Sequence, residues 1–335
     1  MELAGKTILI TGIGGFIGLR AAELALQQGM KVRGLQRTAA KAEPARVLGA
    51  EVMLGDINDP MAARQACQGV DIVLHLAGLI RETGDINEFT NVIVNGTLNM
   101  AKTAKDCGVT CFVNVSSALV YGFSYPNHVT EAGPFYKGNN PFCKTKLAAD
   151  QQVMQLNQPP QFGVINIRPG DVYGPRSLVW VVRPLQFMRK GMFVLINDGR
   201  GVINHIYVDN LIDGIFLAIE RQAYGEAFNL TDGCETSWKE YFLRLAEIGQ
   251  MPKPAAMPEF AVRTFAKLHI SDNSVSAASI DSVTRPYAYS IEKARSQLGY
   301  QPRIDLDNGM KRTADWLTQE DIYTPEWVAQ AKASK

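Results

Sequence analysis

Thr7-Ile8-Leu9-Ile10-Thr11-Gly12-Ile13-Gly14-Gly15-Phe16-Ile17-Gly18 is the stretch on which the fold turns. Residues 7–10 are an apolar, β-branched run and predict a strand. A helical pattern follows over 15–28, with Gly29 as its stop. Glycines at 12, 15 and 18 lie between the two. Gly12 permits the tight turn, Gly15 lets backbone approach a pyrophosphate, and Gly18 lets the helix pack closely on the sheet. The free N–H groups and dipole of a helix N-terminus favour an anion there. A glycine loop with these flanks predicts dinucleotide binding.

Outward from this loop, apolar runs at 32–35, 51–54, 72–76, 112–115 and 164–167 read as further strands. Asp59-Pro60 reads as N-cap and first residue of a helix. Phe89, Ile93, Thr97, Met100 and Ala104 recur at the spacing of a long amphipathic helix. Near-continuous apolar strands alternating with helices predict an α/β, Rossmann-type, doubly wound parallel sheet. After Pro175 the alternation becomes irregular. Residues 1–175 are therefore expected to form the dinucleotide-binding unit, with segments such as 202–222 returning to it. Residues 176–326 would be mainly a smaller substrate lobe, and 327–335 a tail.

The 335 residues carry 34 Lys+Arg against 33 Asp+Glu, a net charge of +1, which leaves no electrostatic footprint for nucleic acid or an anionic membrane. No apolar stretch reaches the ~20 residues of a membrane span, and the start lacks a leader-like pattern. Five cysteines without paired spacing point to a reducing compartment, so a cytoplasmic location is expected. Cys107 and Cys111 lack the partners a zinc site needs, and no metal is expected.

Further motifs follow in order: Gly55-Asp56-Ile57, Leu76-Ala77-Gly78, Ser116-Ser117-Ala118-Leu119-Val120-Tyr121-Gly122, Arg168-Pro169-Gly170-Asp171-Val172-Tyr173-Gly174-Pro175, Tyr207-Val208-Asp209-Asn210 and Leu298-Gly299-Tyr300-Gln301-Pro302. With the T-G-x-x-G-x-x-G loop, they make the chain resemble the extended short-chain dehydrogenases/reductases from residue 7 to about 316. The resemblance implies a cofactor site that includes Gly12, Gly15, Phe16, Ile17 and Gly18. It also implies that Asp56 and Ile57 flank the adenine, and that Ala77, Gly78, Lys146, Pro169 and Val172 contribute.

An acid about 20 residues past the loop would mark NAD. Residues 35–38 hold none. Arg37, aided by Lys41, suits a 2′-phosphate instead, so NADP is favoured over NAD.

The family reaction needs a Tyr acid/base, a Lys four residues on that lowers its pKa, and a Ser that holds the substrate oxygen. Ser117 and Lys146 match. The position four before Lys146 is Phe142. A phenyl ring cannot exchange a proton, and losing a general acid costs about 10²–10⁴-fold. Three accounts stay open: a deliberate Tyr→Phe exchange in a conventional enzyme, a member that only binds, or a substitute among Tyr121, Tyr125, Tyr136 and Cys143. Tyr136 is the better placed of these. A second departure puts Ile93 where relatives have Asn.

Sugar-nucleotide enzymes of the family carry an Arg where this chain has Ile203. The segment 201–210 resembles the 3β-hydroxysteroid dehydrogenase and dihydroflavonol reductase branch. An apolar hydroxy or keto substrate is expected, walled by Ser117, Leu79, Phe123, Tyr136 and Trp180, with Ile80, Leu178, Val179 and a Met257/Phe260/Phe265/Leu268 stripe nearby. That stripe also reads as ordinary core. The alternatives are a sugar-nucleotide epimerase/dehydratase and a non-catalytic NADP(H)-binding member. His205 reads as packed, and Asp209 with Asp213 as serving a helix N-terminus. The resemblance implies a homodimer through helices 86–107 and 141–155.

Overall fold

The computed structural model describes residues 1–81, 84–268 and 277–320. Seven strands make one sheet: β1 (Thr7–Thr11), β2 (Lys31–Gln36), β3 (Glu51–Leu54), β4 (Ile72–His75), β5 (Cys111–Val115), β6 (Gly163–Pro169) and β7 (Ala227–Leu230). Every pairing is parallel, in the order β7-β6-β5-β4-β1-β2-β3. The strand order reverses between β1 and β4, the crevice where such sheets take ligands.

Strands β4, β5 and β6 are buried at every residue, so both faces must be covered. Ile8 and Ile10 face one side, with Val113, Ile165 and residues of α1 (Phe16–Gln27). Leu9 faces the other, with Val73, Phe112 and Val164, under α3 (Pro60–Cys67) and α4 (Gly96–Asp106). Asp59 caps α3 by accepting the Met61 N–H at 2.9 Å, with Pro60 at the first helical position. The stripe from Phe89 to Ala104 is buried throughout. Its path is mixed: one α-turn, Ile86–Phe89, then a π-helical stretch, Thr90–Asn95, then α4.

Among the elements of the seven-stranded sheet and the helices beside it, two lie outside the sequence expectation. Helix α2 (Ala39–Val47) holds Pro44 and lacks a strong apolar period. Strand β7 is four residues long and comes from beyond residue 176. Before it, α6 (Val208–Glu220) packs on the sheet through Leu211 and Ile215. Trp238, Tyr241 and Leu245 of the later helix Trp238–Ile248 join the same buried cluster as Ile165 and Ile167, so the lobe and the sheet share one core. Residues 327–335 lie outside the described residues.

Met257, Phe260 and Phe265 depart from the ordinary-core reading of their stripe. Met257 ends a short strand, Ala255–Met257, and Phe260 and Phe265 are 74% and 52% exposed on the helix Glu259–Leu268. Only Val262 among the helix's described apolar side chains is buried, at 5%. Asp209 does sit in the first turn of α6. It also receives Arg20 through two bonds, of 2.7 and 2.8 Å, and Arg312 at 3.1 Å. No described helix is long and apolar enough to cross a membrane.

Candidate active site

The glycine loop closes on itself. Gly15 N–H donates to the Gly12 carbonyl at 2.9 Å, and Gly12 has φ +70°. A β carbon on Gly12 would stand 3.2 Å from Ala77 Cα, and one on Gly18 would overlap the Gly12 carbonyl oxygen. The loop, the first turn of α1 and residues 76–78 are therefore in van der Waals contact. Helix α1 has no side-chain cap and no acid in its first turn. Its amides can receive an anion, so the residues present fit a dinucleotide. Gly14 N–H donates to Gln36 Oε1 at 3.2 Å. Arg37 is exposed at the end of β2, and among the described residues no carboxylate pairs with it. Asp56 accepts the Asn58 N–H at 2.9 Å. Ile57 is buried against Gly96 at the start of α4.

A buried polar clasp, unforeseen in the sequence, holds this junction. His75 ends β4 between two threonines. Thr97 Oγ1 donates to the Ile93 carbonyl at 2.6 Å, so it accepts from His75 Nε2–H at 3.0 Å. Thr11 Oγ1 accepts the amides of Leu76 and Ala77 at 3.2 and 3.1 Å, so its proton goes to His75 Nδ1 at 2.9 Å. The neutral tautomer is set by this network. Burial, with a smaller effect of Lys146, depresses the imidazole to about 3. The motif beginning at Leu76 stopped one residue short of the group that fixes it.

Ser117 follows β5 and caps the one-turn helix Ala118–Tyr121. Its Oγ accepts the Leu119 N–H at 3.1 Å, which leaves its own proton to donate. Lys146 lies on α5 (Pro141–Met154), and its Nζ donates to the Val115 carbonyl at 3.0 Å. A β carbon on Gly78 would stand 3.9 Å from that Nζ. Ser117, Lys146, Ala77, Gly78 and the glycine loop thus meet at the carboxyl ends of β1, β4 and β5. Pro169 ends β6, and Val172 lies in the short strand after it.

Phe142 sits in the first turn of α5, edge-on to Phe89 with ring centres 6.4 Å apart. Its apolar cluster also contains Leu79, Ile93 and Ala149. Both departures from the family pattern, Phe142 and Ile93, therefore fall in one patch. The other phenols are held differently. Tyr121 OH donates to Asn229 at 2.7 Å and accepts from Arg168 at 2.9 Å. Tyr125 is buried against Tyr289, and Cys143 is buried. Tyr136 is half-buried, and its OH accepts the Asn140 N–H at 2.8 Å.

Among the other wall candidates, Leu79 and Phe123 are half-buried. Trp180 turns toward Trp238, ring centres 5.3 Å apart, and packs against the core. Ile203 is fully buried and offers no cation. His205 is buried between Asp232 and Thr236, each at 2.8 Å. A cavity of about 540 Å³ lies elsewhere, lined by residues including Ile196, Arg200 and Met257. Among the described residues no group of three potential ligands could hold a metal.

The sequence model of the NAD dependent epimerase/dehydratase family matches residues 8–231, and the chain belongs to that family. It is of the NAD(P)-dependent short-chain dehydrogenase/reductase type. A 4-hydroxy-2-methyl-3-oxo-4-farnesyl-3,4-dihydroquinoline-1-oxide ketoreductase of Stigmatella aurantiaca is 27% identical, over 90% of this chain and 93% of its own. A 2-alkyl-3-oxoalkanoate reductase of Stenotrophomonas maltophilia is 25% identical, over 91% and 97%. UDP-glucose 4-epimerase of Thermotoga maritima shares the fold, with a TM-score of 0.78 over 94% of this chain and 99% of its own, at 21% identity.

Proposed function

We propose that the chain is an NADP(H)-dependent oxidoreductase of an apolar hydroxy or keto compound. The observation that carries the reading is the meeting of Ser117 and Lys146 with the glycine loop, beside an apolar patch containing Phe142, Leu79 and Ile93. Gly12, Gly15, Phe16, Ile17 and Gly18 would hold the pyrophosphate at the start of α1. Asp56 and Ile57 would border the adenine, and Arg37 with Lys41 would take a 2′-phosphate. Bound nicotinamide would supply or accept the hydride. Ser117 would direct its hydroxyl proton at the substrate oxygen, and Lys146 would also contact the ribose. The names of the two relatives, a farnesyl-bearing ketone reductase and an alkyl-oxoalkanoate reductase, fit a greasy ketone. The uncharged, buried Ile203 fits poorly with a nucleotide-sugar diphosphate.

The test follows NADPH absorbance with a panel of long-chain 3-oxo acids and cyclic ketones beside UDP-sugars. Reduction of a panel member supports the reading. Conversion of a UDP-sugar without any ketone reduction would replace it with the epimerase alternative.

A further inference from the structure

We propose that Lys146 is itself the proton donor to the substrate oxygen, in the place left by the missing phenol; this rests on the reductase reading above. The geometry around its ammonium is specific. One N–H is held by the Val115 carbonyl at 3.0 Å, two residues before Ser117, which orients the remaining two. Gly78 leaves the space beside Nζ without a side chain, and Phe142 and Leu79 make an adjoining wall apolar.

Among the described residues no carboxylate pairs with the ammonium. Asp150, one turn further along α5, is committed to Arg168 of β6 by two bonds, of 2.7 and 3.0 Å. It acts on Lys146 only at a distance. His75 of β4 is neutral in its clasp. Burial therefore prevails over the pull of Asp150 and lowers Lys146 from 10.5 to about 8. An amine in that range gives up a proton near neutral pH and recovers it from water.

The step balances. Bound reduced nicotinamide would supply the hydride for the new C–H bond, with the carbonyl π pair moving onto oxygen. That oxygen takes a proton from Lys146 Nζ while Ser117 holds it. The products are the alcohol, the oxidised nicotinamide and a neutral amine, which solvent reprotonates.

The experiment compares the unaltered protein with Lys146→Arg, Tyr136→Phe and Phe142→Tyr. It measures kcat against pH, NADPH affinity by fluorescence, and the pH dependence of amine labelling at Lys146 by peptide mass spectrometry without cofactor. Three results are expected. Reduction is flat below pH about 8 and falls tenfold per unit above it. Lys146→Arg, which keeps the charge but does not release a proton, lowers kcat at least ~100-fold with a much smaller change in affinity. Labelling is half-maximal near pH 8. The proposal is overturned by labelling centred near 10.5, or by a kcat loss no larger than the affinity loss. Turnover abolished by Tyr136→Phe but spared by Lys146→Arg also overturns it. Turnover appearing only with Phe142→Tyr overturns it but leaves the reductase reading standing. Silence from every variant removes both.

Discussion

Acidifying the protein from pH 7 to 5 is expected to strain it at one imidazole. His75 is free to protonate at about 6.5 when unfolded, but in the folded chain it is held to about 3. Between those values the unfolded state binds the extra proton, so stability falls as pH falls. The cause is local: both ring nitrogens are engaged, and a second N–H would face the Thr11 hydroxyl that already serves Leu76 and Ala77. At about 1.36 kcal/mol per unit below 6.5, the loss by pH 5 is about 2 kcal/mol. Urea unfolding across this range, for the unaltered protein and for His75→Asn, isolates the effect. Asn cannot titrate, so its curve should be flatter by about that amount, even though it starts from lower stability. Parallel curves would refute the neutral clasp.

Three further outcomes follow from the same geometry. Gly18→Ala places a methyl against the Gly12 carbonyl, so NADPH affinity should fall at least ~10-fold together with Tm; unchanged affinity in titration would contradict the close loop–helix contact. Arg37→Ser should weaken NADPH by about 10–100-fold, the worth of a charge-assisted bond, and leave NADH nearly unaffected; equal losses would remove Arg37 from cofactor choice. Asp150→Asn strands the Arg168 guanidinium in a buried site where the two side chains are only 2% and 5% exposed. It should cost about 3–5 kcal/mol in chemical denaturation, and a loss under ~1 kcal/mol would mean that solvent reaches the pair.

The sheet was legible because strands buried on both faces leave largely apolar runs, as in Ile72-Val73-Leu74 and Val164-Ile165. The glycine loop was legible because only glycine tolerates the φ of Gly12 and the closeness at Gly18. Strand β7 was not, since it is four residues long and lies in the irregular stretch after Pro175. At the site, Ser117, Phe142 and Lys146 could be located from the family resemblance together with their spacing. What spacing could not give was the company they keep. That Ile93 and Phe142 share a patch needs the fold, as does the pairing of Asp150 with Arg168. The core reading of Phe260 and Phe265 failed for a related reason: apolar spacing says that a helix has a face, and leaves open whether anything covers it.

Strand β7 has a consequence for how the chain comes into being. Until residues 227–230 emerge from the ribosome, β6 is the rim of the sheet, with the carbonyls and amides of a strand buried along its whole length unmatched on one side. Such a rim invites pairing with another nascent chain. The nucleotide-binding part cannot safely finish by itself at residue 175. It must wait roughly 55 residues of synthesis for its last strand (about 3–11 s at ~5–20 residues per second). For that interval, a partly made copy is more exposed to misassociation than the finished one.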